Sequence, residues 1–300
     1  MTSTIVNLNR RAAFGGEQAS GLRDLVARRN ASQEVHPATK RNCQTVVVAG
    51  GKGGVGRSVI ALNLAILFAQ RGDSVGLVDA AAGLGNIELL CGLNGYWNLS
   101  HVVHGCRALD DVILTGPAGI KILSGASCLA DRSASHKMNA NRLREQLQSY
   151  EQSLDWLIVD GSGGSANLAV EFARSADDLL IVTTPEPTAI AEAYSSVKSF
   201  AGHCSSRIGL LVNQADSASQ ANQILDRIQQ ASQAFLQRDL LRRGFIPRDA
   251  AINTSVNERV PVVIQSPDSP ATTELSRLVE RWTRTRTTVP SNSYFARWLQ

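Results

Sequence analysis

The chain has few residues of the kinds that mark disulfide-rich, metal-binding or membrane-spanning proteins. Its five cysteines are odd in number and include no C-x-x-C pair, so the sequence predicts neither a disulfide framework nor a zinc site and favours a reducing compartment. No apolar run reaches the roughly 20 residues that a membrane-spanning helix needs, and the N-terminus lacks the apolar stretch of a signal peptide. We therefore expect a cytoplasmic protein, with peripheral contact to the inner face of the membrane left open.

Net charge is also small. The 30 Lys and Arg residues against 26 Asp and Glu residues give a formal charge of +4, which makes nucleic acid an unlikely partner. The apolar fraction of 43% is ordinary for a globular chain and permits a sizeable core. The length of 300 residues allows one large domain or two small ones.

Short apolar runs rich in Val, Ile and Leu alternate with longer helical stretches through the middle of the chain. Unbroken apolar strands imply burial on both faces, and hence a mostly parallel sheet flanked by helices in a doubly wound α/β fold. The predicted strands are 45–50, 74–80, 119–125, 155–161, 178–185, 207–213 and 243–247, and the predicted helices include 56–71, 139–152, 188–201 and 217–238. Residues 42–286 form one predicted domain, with tails at 1–41 and 287–300.

The stretch "GGKGGVGRS" at residues 50–58 follows the first predicted strand and opens a helix. That context is the one required by the phosphate-loop pattern G-x-x-x-x-G-K-[ST], in which backbone N–H groups and a helix N-terminus bind an anion. Gly51, Gly56 and Ser58 fit the pattern, and Ser58 is placed to ligate Mg²⁺. Arg57 stands at the lysine position. A glycine-rich turn without a ligand is the alternative, which the strand and helix on either side disfavour.

Lys52, directly after the first glycine of the pattern, makes the loop resemble the deviant phosphate loop of the MinD/ParA family of P-loop ATPases. The resemblance extends through the predicted domain and is especially close to the flagellar-number-regulator branch. It is carried by "VDAAAGLGNIELLCGL" (78–93), "LIVDGSGG" (157–164), "TTPEPTAIAEAY" (183–194), "LVNQ" (211–214) and "GFIPRD" (244–249).

This resemblance implies an ATP site that also holds Mg²⁺, and a homodimer when ATP is bound. Ser58 and Asp160 would be the metal-associated residues, and Lys52 would reach into the partner's active site. Lys52 and Asp79 would be the remaining catalytic residues. The implied nucleotide-binding residues are Gly51, Lys52, Gly53, Gly54, Val55, Gly56, Arg57 and Ser58 in the loop, with Asn213, Pro247 and Asp249 around the base.

Two departures from the family pattern fall on catalytic positions. Arg57 keeps the charge of the loop lysine but is planar and fork-shaped. The first switch keeps Asp79 of the family's D-x-D, but Ala81 replaces the second aspartate, which orients the attacking water. Losing such a group typically costs about 10²–10⁴ in rate. A milder departure is "DGSGG" in the second switch, where the family has D-T-G-A-G. We expect ATP binding with little or no hydrolysis.

The N-terminal "EQASGLR" (17–23) resembles the activator motif D-Q-A-x-x-L-R of the flagellar-number regulators. The resemblance implies that Gln18, Ala19, Leu22 and Arg23 bind and stimulate an SRP-type flagellar GTPase (FlhF-like). The alternative is an amphipathic tail helix without a partner.

The C-terminal "SYFARWLQ" (293–300) places four apolar residues along one side of a helix. The segment resembles the short amphipathic membrane anchor of MinD-type proteins, which implies contact with an anionic membrane surface through Tyr294, Phe295, Trp298 and Leu299. Docking of the same residues against the protein's own core is the alternative.

The functional hypothesis is a MinD-like ATP-binding regulator of flagellar number or placement. The first alternative is an active ATPase that positions the division septum, chromosomes or cargo, and "EQASGLR" argues against it. The second is a nucleotide-free scaffold. Lys52, Asn213 and Asp249 argue against that alternative, since a site without a ligand would have no reason to keep them.

Overall fold

The computed structural model describes residues 43–81, 85–130, 137–162, 166–204, 206–285 and 293–298. Within that part of the chain, eight strands form one sheet in the order β3-β4-β2-β5-β1-β6-β7-β8, and every neighbouring pair is parallel except β3 with β4. The strands are β1 (Gln44–Ala49), β2 (Val75–Asp79), β3 (Leu114–Thr115), β4 (Lys121–Ser124), β5 (Trp156–Asp160), β6 (Asp178–Thr183), β7 (Arg207–Ala215) and β8 (Leu241–Pro247).

Helices cover both faces of this sheet. They are α1 (Arg57–Gln70), α2 (Asn86–Leu90), α3 (Leu99–Val103), α4 (Lys137–Gln152), α5 (Ala166–Arg174), α6 (Pro187–Ala201), α7 (Ala218–Leu236), α8 (Ala250–Glu258), α9 (Val262–Gln265), α10 (Pro270–Arg284) and α11 (Tyr294–Trp298). The described residues also form 3₁₀ turns at Leu109–Asp111, Pro117–Gly119 and Ala126–Ala130. None of the described helices is long and apolar enough to cross a membrane.

The core has one apolar layer on each face of the sheet. One layer packs under α4, α5, α6 and α7, and the other packs under α1 and α10. In the second layer Phe68 of α1 stacks on Trp156 of β5, with ring centroids 4.1 Å apart. The central strands are buried along their whole length, because helices cover both of their faces. The doubly wound, mostly parallel α/β fold expected from the sequence is thus confirmed.

The C-terminal segment lies in the core. The side chains of Tyr294, Phe295 and Trp298 are buried and belong to the apolar layer under α4 and α5. Trp298 stacks on Phe172 with centroids 4.8 Å apart, and the Tyr294 hydroxyl donates to the Phe172 carbonyl oxygen at 3.1 Å. The apolar side predicted to face a membrane therefore faces the protein, and the docking alternative describes this structure. Leu299 lies outside the described residues.

The physical reason for this docking is a buried carboxylate at the end of α4. Glu151 accepts hydrogen bonds from the backbone N–H groups of Tyr294 (2.7 Å) and Phe295 (3.1 Å) and from the Ser293 hydroxyl (2.6 Å). These bonds satisfy the N–H groups that a helix leaves free at its start. Polar bonds at the start of α11 and aromatic packing along its side hold the segment in place.

Candidate nucleotide site

The phosphate loop joins the carboxyl end of β1 to the start of α1, beside the carboxyl ends of β5 and β6. Gly54 and Gly56 adopt left-handed backbone conformations with φ of +79° and +93°, which side chains disfavour. A Cβ atom on Gly56 would also collide with the amide nitrogen of Asn213. The loop therefore needs glycine at these positions both for its turn and for its closeness to β7.

The first half of the loop is wedged against β6 and α6. A Cβ atom on Gly50 would lie 2.6 Å from the Val182 carbonyl oxygen, and one on Gly51 would lie 2.6 Å from the Cβ and carbonyl oxygen of Glu192. Glu192 was not expected beside the loop from the sequence. Its contact with Gly51 depends on the packing of α6, which the loop sequence does not reveal.

Lys52 is held within its own chain. Its ammonium group forms an ion pair with Glu186 and donates a hydrogen bond to the Thr188 hydroxyl at 2.9 Å, at the start of α6. Both partners lie in the "TTPEPTAIAEAY" stretch that carried part of the family resemblance, although neither was expected to bind the lysine. These contacts describe Lys52 in a single copy of the chain, without a second copy bound.

Arg57 folds back over the loop. Its Nη1 donates a hydrogen bond to the carbonyl oxygen of Gly50 at 2.7 Å. Burial lowers the pKa of Arg57, and the carboxylates of Asp160 and Glu192 offset part of that effect. The guanidinium thus fastens the end of the loop to its beginning and brings positive charge close to the expected phosphate position.

The two residues expected to hold Mg²⁺ are linked through a third. The hydroxyl oxygen of Ser162 lies 2.9 Å from that of Ser58 and donates to Oδ2 of Asp160 at 2.8 Å. Burial, followed by the nearby charge of Asp79, raises the pKa of Asp160 to about 6. These groups offer the hard oxygen ligands that Mg²⁺ prefers. The ligand chemistry of Ser58 and Asp160 therefore suits the metal that the family resemblance implies, although the Ser162 hydroxyl lies between the two.

Asp79 shapes the first switch. Its Oδ1 accepts a hydrogen bond from the Ala81 N–H at 2.8 Å, and its Oδ2 accepts one from the Ile87 N–H at 3.1 Å. The side chain is completely buried, and this burial raises its pKa. Asp79 therefore has a structural role beside the residual catalytic role expected for it, because both of its oxygens bind the backbone. Ala81 places a buried methyl group where the family has a second carboxylate.

Asn213 faces the other end of the loop. Its amide nitrogen donates to the Val55 carbonyl oxygen at 2.8 Å, which fixes the orientation of the amide. Its Oδ1 is buried and accepts no hydrogen bond from any described residue. A buried acceptor without a donor is costly. The exocyclic amino group of adenine is a donor of the kind that this oxygen lacks.

Asp249 joins two helices. Its Oδ1 accepts from the Ala251 N–H at 2.9 Å at the start of α8, and its Oδ2 accepts from the Ala271 N–H at 3.0 Å at the start of α10. The pKa of Asp249 is lowered, because burial, which favours the protonated form, is outweighed by these hydrogen bonds together with one from Ser269. Asp249 thus has a structural reason to be present, which corrects the inference that only a ligand would require it. Pro247, at the end of β8, pairs with Ala215.

The geometry so far describes a glycine loop, a hard-oxygen pair and a base-side amide at the carboxyl ends of parallel strands. A family model, ParA, described as an NUBPL iron-transfer P-loop NTPase, matches residues 42–283. The chain belongs to the ParA/MinD family of P-loop NTPases.

Known members of this family show where the chain lies within it. The antiactivator FleN of Pseudomonas aeruginosa is 32% identical over 239 residues, which cover 79% of this chain and 85% of FleN. The flagellum site-determining protein YlxH of Helicobacter pylori is 31% identical over 183 residues, 60% of this chain and 61% of YlxH.

A solved structure of the same fold is the septum site-determining protein MinD of Pyrococcus horikoshii, complexed with Mg-ADP. It superposes with a TM-score of 0.62 at 21% identity and covers 82% of this chain and all of that one. At this identity the likeness shows the shared fold alone.

The expected partner-binding residues Gln18, Ala19, Leu22 and Arg23 lie outside the described residues.

Proposed function

We propose that this protein is a nucleotide-binding regulator of flagellar number or placement, which binds ATP with little or no hydrolysis. The observation that carries the proposal is the contrast within one site. The loop glycines and the unpaired Oδ1 of Asn213 keep the features of a binding site, while Asp79 already binds the backbone through both oxygens and Ala81 has no carboxylate to orient the attacking water. The printed names of FleN and YlxH support a flagellar role.

Binding tolerates the change at Arg57 better than catalysis tolerates the change at Ala81. If an intact site binds at about 1 μM and the arginine costs ~2.7 kcal/mol, the affinity falls to about 100 μM. Such a site is still mostly filled at millimolar ATP. The guanidinium also remains beside the loop and keeps a positive charge there.

Weak hydrolysis follows from the first switch. A water molecule that attacks a phosphate must be oriented, and the groups that do so typically contribute about 10²–10⁴ in rate. The buried methyl group of Ala81 cannot orient water. An ATP-bound dimer of this chain should accordingly be long-lived.

Dimer formation requires Lys52 to exchange partners. The proposal is that ATP binding releases its ammonium group from Glu186 and Thr188 so that it reaches the second copy's nucleotide. Light scattering of the full chain tests this step. We expect a dimer with ATP and a monomer without nucleotide, and we expect Lys52→Ala to stay monomeric. An ATP-independent dimer would contradict this step.

The proposed output is stimulation of an SRP-type flagellar GTPase by the N-terminal segment. Gln18 and Arg23 supply the kinds of side chain that orient water and stabilise charge on transferring phosphates. The test is GTP turnover by the cognate GTPase with the full chain and with Gln18→Ala or Arg23→Ala. We expect stimulation by the wild type that both variants lose. An unchanged rate with the wild type would rule out this output.

Membrane contact through α11 is not part of the proposal. It would require Tyr294, Phe295 and Trp298 to leave the core and Glu151 to lose its three hydrogen bonds. We expect the docked segment to stabilise the core instead.

A further inference from the structure

Ser162 lies between the two residues that would hold the metal ion. Its hydroxyl donates to Oδ2 of Asp160 at 2.8 Å, and its backbone N–H donates to Oδ1 of the same carboxylate at 3.0 Å. The same hydroxyl lies 2.9 Å from that of Ser58. One residue therefore engages both oxygens of Asp160 and contacts Ser58 as well.

We propose that the Ser162 hydroxyl obstructs the Mg²⁺ position, so that nucleotide binding by this chain gains little from Mg²⁺. This inference rests on the proposed function. The family pattern D-T-G-A-G has glycine at this position, and glycine brings no hydroxyl. The departure that seemed mild in the sequence thus falls on the metal side of the site.

The obstruction follows from what a bound ion needs. Mg²⁺ requires near-ideal octahedral geometry with ligands at about 2.0–2.1 Å, so the lone pairs of its ligands must point at the ion. In this structure Oδ2 of Asp160 accepts the hydrogen of the Ser162 hydroxyl, and the Ser58 hydroxyl is left to donate to the Ser162 oxygen. An ion that uses them has to displace that hydroxyl from a carboxylate, and hydrogen bonds to charged acceptors are the stronger ones.

The backbone around Ser162 opposes such a displacement. Gly161, the preceding residue, donates its N–H to the Val48 carbonyl oxygen at 2.9 Å, and a Cβ atom on Gly161 would lie only 3.0 Å from that oxygen. This bond fastens the start of the second switch to β1. The Ser162 side chain has to rotate for an ion to enter, since the backbone is held at both Gly161 and Ser162.

Arg57 supplies a positive charge that does not depend on the ion. Its guanidinium is fixed to Gly50 at the same loop, and Asp160 is close enough to influence its pKa. A permanent cation beside the phosphates performs part of the neutralisation that Mg²⁺ supplies elsewhere. The substitutions at positions 57 and 162 therefore act in the same direction, toward binding with a reduced need for metal.

The test is calorimetric titration of ATP into the full chain in the presence of MgCl₂ and, separately, of EDTA. The quantity of interest is the dissociation constant in EDTA divided by the dissociation constant in MgCl₂. We expect a ratio near one for the wild type and an increase of about tenfold for Ser162→Ala, the effect of losing one hydrogen bond to a charged group. Ser162→Thr retains the hydroxyl and should resemble the wild type. Mn²⁺ in place of Mg²⁺ allows the bound metal to be counted by paramagnetic resonance.

Two results would overturn the inference while leaving the proposed function intact. An equal ratio for the wild type and Ser162→Ala would show that the hydroxyl does not obstruct the ion. A lower ratio for Ser162→Ala would show that the hydroxyl is itself a ligand. If neither protein binds ATP under either condition, the proposed function fails as well. If only Ser162→Ala binds, and only with Mg²⁺, the obstruction is supported and wild-type ATP binding is refuted.

Discussion

Phe295→Ala should destabilise the protein strongly, because α11 is part of the core. Phe295 is 1% exposed and packs beside Tyr294 and Trp298. Truncation of a buried phenylalanine typically costs about 3–5 kcal/mol through lost transfer free energy and the cavity left behind. For a domain of this size, that corresponds to a fall in melting temperature of roughly 6–20 °C. Deletion of residues 293–300 gives the largest loss of stability that Phe295→Ala can cause, since the substitution cannot cost more than the docking of the whole segment contributes.

The chain offers a matched control for this experiment. Phe235, near the end of α7, is 78% exposed. Phe235→Ala therefore deletes the same side-chain atoms at a position in contact with water and should change the free energy of unfolding by less than about 0.5 kcal/mol. Urea unfolding of both variants and the wild type measures the difference. Equal and negligible effects at the two positions would refute the docking of α11, and membrane contact by this segment would again be the better explanation. Liposome co-sedimentation of the same proteins should show no binding.

Two further predictions concern a buried ion pair and the cysteines. Asp178→Asn should lower the free energy of unfolding in urea by about 3–5 kcal/mol, because Asp178 is fully buried and binds the buried Arg243 at 2.7 Å. Asp226→Asn, in an exposed ion pair, should lower it by under about 1 kcal/mol. Equal losses for the two variants would contradict the buried position of the Asp178 pair. Burial raises the pKa of the Cys91 thiol to about 12, so iodoacetamide at pH 8 should modify the exposed Cys106 first, as read by mass spectrometry. Faster labelling of Cys91 would contradict the burial of that thiol.

The sheet could be predicted from the sequence because its signal is local. Seven of the eight described strands were predicted. The inner strands β1, β5 and β6 are continuous apolar runs, and their burial on both faces makes such runs recognisable without knowledge of the fold. The eighth strand, β3, has only two residues, Leu114 and Thr115, and is too short to show a strand pattern in the sequence. The start of helix α10 carries its own local signal, because Ser269 caps it and Pro270 stands at its first position. Those two residues are a recognised start signal.

The site was predictable where the pattern is local, and it was missed where partners come from distant segments. The glycines of the loop and Ser58 were identified because spacing and context sufficed. The second role of Asp249 depends on Ala271, 22 residues away, and the capture of α11 depends on Glu151, more than 140 residues before it. Such partners are set by tertiary packing. The departure "DGSGG" was interpreted as a mild change, and the contact of Ser162 with Ser58 is visible only in the structure.

The central claim is that this site binds ATP without appreciable turnover, and phosphate release by the purified full chain tests it most directly. We expect the wild type to match the background without protein. Arg57→Lys and Ala81→Asp combined with Ser162→Ala should raise turnover by about 10² or more, because the triple variant restores the loop lysine and a water-orienting carboxylate and clears the metal position. Circular dichroism of the variant checks that it remains folded. Wild-type turnover equal to that of a MinD with both residues intact would contradict the account.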